Sequence, residues 1–215
     1  MSGSNKQATI IALVAALAAL AVTGFVVWQY SNQQASVSGV DGSVLSFQPQ
    51  KDVGAPYSLV DSSGERLDSS TFAGKYQLIY FGYTYCPDIC PTELLIMGQT
   101  VRSLAETAPE KAAKIQPIFI TVDPERDTPS LMGEYVANFH DRMIGLTGPV
   151  DDVAKVAHDF RVYYAKVDGE DPENYLMDHS SFLYLVGPDD RLVAMIRPNG
   201  DPDAMARELD RLVTQ

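Results

Sequence analysis

The sequence predicts an α/β domain, a central mixed sheet flanked by helices, carried behind one N-terminal transmembrane helix. Three observations predict it. The run from Ala8 to Trp28 holds no charged residue and is rich in Ala, Val, Leu and Ile, and ~20 such residues suffice to cross a bilayer as a helix. Two short runs, Tyr76 to Tyr83 and Ile115 to Val122, have the length and the aromatic and aliphatic content of buried strands. Stretches with helical spacing of apolar residues alternate with them, and a sheet covered by helices buries both kinds of element.

Lys6 is the sole charge ahead of the span, so residues 1–7 are expected in the cytoplasm and everything after the anchor at 8–28 outside it. A cleaved secretory signal is the alternative, given the small residues Ala19 to Ala21, but the apolar run exceeds the roughly 7 to 15 residues of a signal core. Either reading exports the domain. A mitochondrial transit peptide is Arg-rich, and the first Arg here is Arg66, which favours a bacterial inner membrane with the domain in the periplasm. Residues 29–46, rich in Gln, Ser, Gly and Asn, read as a flexible linker. The domain proper is expected over 47–215.

Within it, Tyr57 to Val60 and Glu65 to Leu67 flank Asp61-Ser62-Ser63-Gly64, a hairpin pattern. The strand Tyr76 to Tyr83 leads into Cys86 and Cys90, and Pro91 at a first helical position opens a helix bearing Leu94, Leu95, Val101 and Leu104. Thr128-Pro129 caps a helix running through Phe139. Asp151 or Asp152 starts another, with Val153, Val156, Ala157 and Phe160 along one face. Phe182 to Val186 and Leu192 to Ile196 form a second hairpin around Gly187-Pro188-Asp189-Asp190-Arg191, and a helix from Pro202 to Val213 closes the chain.

Past the span stand 15 basic and 28 acidic residues, a formal charge of −13. Such a surface repels phosphate backbones and excludes nucleic acid as a partner. Cys86 and Cys90 are the only cysteines, and a disulfide between them closes too small a loop to staple a fold. The pair reads as chemistry. At a helix N-terminus the dipole favours thiolates, the form that binds metal and exchanges disulfides. Two sulfurs sharing one ion lie within about 4.6 Å, twice a metal–thiolate bond of ~2.3 Å, and a four-residue spacing in a turn allows this as readily as it allows a disulfide.

A third ligand would separate the two uses. His158 falls off the apolar face of its helix, near Lys155 and Asp159, and reads as a solvated side chain. His140 follows Phe139 at an expected helix C-terminus, where the dipole favours an imidazolium. His179, in Asp178-His179-Ser180 just before a strand, is placed to reach a site from the sheet edge. Met97 and Met177 read as core or loop filling rather than soft ligands. Two thiolates and one imidazole would suit Cu(I), whereas structural zinc takes four ligands.

Three motifs occur in order: Gly82-Tyr83-Thr84 followed by Cys-Pro-Asp-Ile-Cys-Pro-Thr-Glu, then Val122-Asp123-Pro124-Glu125-Arg126-Asp127-Thr128-Pro129, then Asp178-His179-Ser180. Together they make the chain, from about Val53 onward, resemble the Sco/SenC family of copper proteins. The resemblance implies a thioredoxin-like fold and copper bound by Cys86, Cys90 and His179. It further implies a metallochaperone, or a reductant of ligand cysteines, in assembly of the CuA centre of cytochrome c oxidase subunit II, with that subunit as partner and room for a periplasmic copper donor. For Asp123 to Pro129 the structural reading, a strand end and helix cap, stands ahead of a direct role. A binding protein without turnover is the leading class. A thiol-disulfide oxidoreductase would use Cys86 and Cys90 as its redox pair and would not need His179. A thiol peroxidase ranks last, because the single tryptophan, Trp28, sits inside the span.

Overall fold

A computed structural model of the chain describes residues 20–25, 45–47, 53–54, 56–167 and 175–214. Residues 20–25 are helical. The rest of the expected span, with Trp28, lies outside the described residues, among which no helix is long and apolar enough to cross a membrane.

The first strand, β1 (Leu45–Phe47), begins two residues ahead of the expected domain boundary. A hairpin of β2 (Ser58–Val60) and β3 (Arg66–Asp68) follows. Its turn forms because Gly64 takes φ +86 and the Asp61 carboxylate accepts hydrogen bonds from the Ser63 N–H and hydroxyl. After β4 (Tyr76–Gly82) comes the long helix α1 (Ile89–Thr107), then a short helix α2 (Pro109–Lys114) and β5 (Ile115–Thr121). The second half holds α3 (Pro129–Val136), β6 (Ile144–Leu146), α4 (Val150–Asp159), β7 (Tyr164–Lys166), β8 (Met177–His179), β9 (Leu183–Val186), β10 (Leu192–Arg197) and α5 (Pro202–Leu212).

Six strands form one sheet in the order β1-β10-β9-β4-β5-β6. β4, β5 and β6 run parallel, while β9 and β10 run antiparallel to their neighbours, so the sheet is mixed. β4 and β5 are buried at every position, as strands covered on both faces must be. Alternation along β4 sorts the core into two layers. Tyr80 faces one side and stacks on Phe119, which meets Tyr135 of α3. Phe81 faces the other, where Phe160 and Tyr184 pack around it. This is the thioredoxin-like arrangement expected.

Several boundaries differ from the sequence reading for identifiable reasons. α1 starts at Ile89 rather than Pro91, so Cys90 lies inside its first turn instead of at its cap. The first N–H groups of a helix have no intrahelical acceptor, so a proline in the third position sacrifices no bond. α3 stops at Val136, short of Phe139, because the Asn138 amide donates to the carbonyls of Glu134 and Tyr135 and closes the last turn. Its start is as read: the Thr128 hydroxyl accepts from the Leu131 N–H, and Pro129 follows. The β7–β8 ribbon makes His179 the end of a strand rather than a loop residue.

Candidate metal centre

The site lies where β4 ends and α1 begins. Gly82 closes β4, and a Cβ there would sit 2.7 Å from the Cys90 sulfur and 3.1 Å from both Tyr80 and Phe119. Glycine therefore leaves the volume that the thiol fills. The turn from Tyr83 to Asp88 then brings Cys86 back over the helix start, where the Cys90 N–H donates to the Cys86 sulfur at 3.4 Å. That contact is the helix N-terminus acting on an anion.

The third element is β8. Its last residue, His179, puts Nε2 3.2 Å from the Cys90 sulfur. The other ring nitrogen, Nδ1, is 3.1 Å from the Ser180 carbonyl, which only accepts, so Nδ1 carries the proton and the Nε2 lone pair faces sulfur. Tyr80 and Tyr83 stand edge-on to the imidazole at ring distances of 6.0 and 5.9 Å and fix its plane. The Tyr83 hydroxyl also accepts the Met177 N–H, tying β8 to the end of β4.

Cys86, Cys90 and His179 thus bring one donor atom each to within 4.8 Å of one another. That spread matches what two metal–sulfur bonds of ~2.3 Å can span. Soft sulfur and imidazole donors suit Cu(I) more than a hard cation, so the donor set fits a copper ion. Cys90 is fully buried and Cys86 nearly so.

The two sulfurs divide their protons unequally. A hydrogen bond from the Cys90 thiol, helped by the N–H groups of Cys90 and Asp88, outweighs burial and pulls the Cys86 thiol down to about 4. The Cys86 thiolate, and then burial, push the Cys90 thiol far above its usual range. At neutral pH the pair is therefore one thiolate and one thiol. Burial, followed by Cys90 and Glu93, likewise raises the Tyr80 phenol, so its hydroxyl serves the site only as a donor, 3.9 Å from the Cys90 sulfur.

The Asp123 to Pro129 segment stands behind the site. Asp127 is fully buried and accepts from the Thr84 N–H at 3.1 Å, the Thr84 hydroxyl at 2.5 Å and the Thr121 hydroxyl at 2.5 Å. It anchors the turn two residues ahead of Cys86. Asp123 accepts from Arg126 and from the Tyr175 hydroxyl, and Arg126 lies over the Tyr175 ring at 3.6 Å while donating to the Tyr175 carbonyl. These contacts hold the approach to β8, so the segment does more than cap a helix.

The other histidines lie elsewhere. His158 is an exposed side chain beside Asp159, as read. His140 follows α3 and is buried, its Nδ1 accepting from the Arg142 N–H. Burial and the neighbouring Arg142 and Arg102 hold its pKa down, so it is a neutral acceptor and not the cation expected at a helix end. Met97 and Met177 are buried. Sequence reasoning placed Gly82 and Glu93 in a motif without giving them a role at the site, and gave Tyr80 none. The signals were present: Tyr80 and Gly82 alternate toward one face of β4, and Glu93 follows Cys90 by three residues, one turn along the helix.

Residues 46–214 match the family described as SCO1/SenC. Over 153 residues the chain is 40% identical to the mitochondrial protein SCO1 homolog 1 of Arabidopsis thaliana, a match covering 71% of this chain and 45% of that protein. The chain thus spans less than half the length of that relative. An SCO2-like protein of Rickettsia prowazekii is 41% identical over 151 residues, covering 70% of this chain and 72% of its own. The crystal structure of Arabidopsis thaliana ScoI with copper bound superposes with a TM-score of 0.69 at 39% identity, covering 74% of this chain and 96% of that one.

Proposed function

Because the chain belongs to the SCO1/SenC family, we propose that it is a copper metallochaperone that binds one copper ion through Cys86, Cys90 and His179. Its service is maturation of the CuA centre in cytochrome c oxidase subunit II. The observation that carries the reading is the convergence of three soft donors from two distant chain segments within 4.8 Å. The copper-bound Arabidopsis relative, with its shared fold, supports the choice of metal.

The residues divide the work of capture. The Cys86 thiolate, at the rim, meets the ion first, because it needs to lose no proton at neutral pH. Cys90 must release its proton as the ion arrives, and the Nε2 lone pair of His179 completes the donor set from β8. A carrier needs a site that is soft and shielded yet reachable by a second set of ligands, and a thiolate at the rim satisfies both demands. The uncharged run Ala8 to Trp28 supports a single membrane anchor that holds the domain on the periplasmic side of a bacterial inner membrane. The accompanying division is an anchor at 8–28, a linker ahead of β1 and the copper domain from β1 onward.

The test is copper stoichiometry and X-ray absorption on the reduced full-length protein, with His179→Ala beside it. The expected result is one copper with two sulfurs and one nitrogen, and loss of the nitrogen together with weaker retention in the variant. A variant that lost copper yet matured oxidase normally at limiting copper would overturn the chaperone role.

A second reading draws on the unequal pair. A thiolate next to a protonated partner thiol is the starting state of a dithiol reductant. Cys86 would attack one sulfur of a disulfide in subunit II, Cys90 would then displace that sulfur, and the pair would end as a disulfide with both substrate cysteines reduced. Near-normal reductase activity in His179→Ala would mark this route as separate from copper delivery.

A further inference from the structure

Glu93 presents an anomaly that copper binding as described does not use. Its side chain is almost wholly buried on α1, one turn beyond Cys90. Burying a carboxyl is costly unless its oxygens have partners. Oε1 has one, the Ser181 hydroxyl, which donates to it at 2.6 Å. Oε2 is buried with no hydrogen-bond partner among the described residues, though the carboxyl also acts on the nearby Tyr80 hydroxyl. A half-satisfied carboxyl in a core is a poor choice for stability alone, since an apolar side chain of similar size would avoid the penalty. Its retention calls for a reason in what the satisfied half does.

That half joins the two segments that carry the donors. Glu93 shares a helix with Cys90, at a spacing of three residues that puts both on one side of it. Ser181 follows His179 by two residues, just past the end of β8. The hydrogen bond between them therefore runs alongside the 3.2 Å contact of Cys90 with His179. The β7–β8 ribbon is a separate two-stranded unit, outside the ladder of the six-stranded sheet. The distance from α1 to His179 is thus not set by that ladder at this point.

We propose that Glu93 and Ser181 form a clasp that positions His179 against Cys90, so that the imidazole stays within reach of an ion held by the two sulfurs. Glu93 and Ser181 are positioning residues, and the inference rests on the three-donor reading of the site. Release of the clasp loosens the nitrogen while leaving the thiols in place.

The experiment uses the reduced full-length protein loaded with one Cu(I), transfer of that copper to a competing chelator, and X-ray absorption of the loaded form. Ser181→Ala should lose copper about tenfold faster, the upper range for one hydrogen bond, and should show a weakened nitrogen contribution. Glu93→Ala should match it, and Glu93/Ser181 double alanine should be no worse than either single change. Glu93→Gln, which keeps an acceptor oxygen for Ser181, should restore the wild-type rate. Nitrogen scattering and release rate unchanged in Ser181→Ala would overturn the clasp, even if thermal unfolding of that variant came earlier. Wild-type protein lacking the nitrogen would overturn the three-donor reading and the clasp with it.

Discussion

Gly82 and Cys90 share a space that admits only one side chain: a methyl group on Gly82 would lie 2.7 Å from the Cys90 sulfur. Gly82→Ala should push the thiol away from His179 or force β4 and α1 apart. The expected cost is about 1–3 kcal/mol of stability, typical of overpacking, together with weaker copper retention. Denaturant unfolding of the apo protein and a chelator competition measure the two effects. Wild-type values in both would show that the helix start yields without consequence.

Because copper and a disulfide make the same demand on Cys86 and Cys90, each should exclude the other. Oxidation to the disulfide should abolish tight Cu(I) binding, and loading with Cu(I) should protect both thiols from alkylation. Equal affinity in the reduced and oxidised forms would remove these sulfurs from the ligand set.

The acidity of Cys86 predicts a pH dependence with a definite sign. Its folded pKa, about 4, lies below its unfolded value, so the stabilisation it brings is complete only above the unfolded pKa and is lost as pH falls through the folded one. Apo protein should gain stability from Cys86 as pH rises from about 4 toward the unfolded thiol range. Thiolate absorbance should show one thiolate per pair at pH 7, the other sulfur remaining a thiol because Cys90 is shifted upward. An alkylation rate for Cys86 that rose only near the ordinary thiol pKa would contradict this.

Asp127→Ala should leave the Thr84 N–H, the Thr84 hydroxyl and the Thr121 hydroxyl without their acceptor. An unsatisfied buried group such as the Thr121 hydroxyl costs about 1–3 kcal/mol, and the part-buried Thr84 groups cost less. The loss should appear as a large fall in the unfolding midpoint and as disorder in the turn that carries Cys86. Copper release would then quicken although no ligand had changed, and an unaltered midpoint would show that water replaces the carboxylate.

Most of the scaffold was legible because its signals are local and strong. β4 and β5 are compact apolar runs, Thr128-Pro129 caps α3 as written, and both hairpins sit around their Gly-containing turns. The strands β1, β6, β7 and β8 are three residues each, too short for any periodicity to reveal. Pro91 misdirected the reading of the α1 start by two residues, since proline is as acceptable in the third helical position as in the first. Cys86 and Cys90 announced themselves by isolation, and His179 by its place before a strand. Glu93 did not, because an acidic residue early in a helix has an ordinary explanation in the dipole. Only its burial and its bond to Ser181 set it apart.

His179 and Cys90 are 89 residues apart in the chain. Closing a loop of that length is costly, and the contact forms only when β8 and the end of β4 are in place together. An emerging or unfolded polypeptide can offer an ion its neighbouring sulfurs but not the imidazole. On the proposed three-donor reading, full-strength capture would be reserved for the completed fold, and an ion so captured would draw the folding equilibrium toward the native state by mass action. With the proposed ligand set, the architecture would act as a checkpoint on synthesis, in which an unfinished or damaged molecule would hold copper poorly and be a weak competitor for the supply.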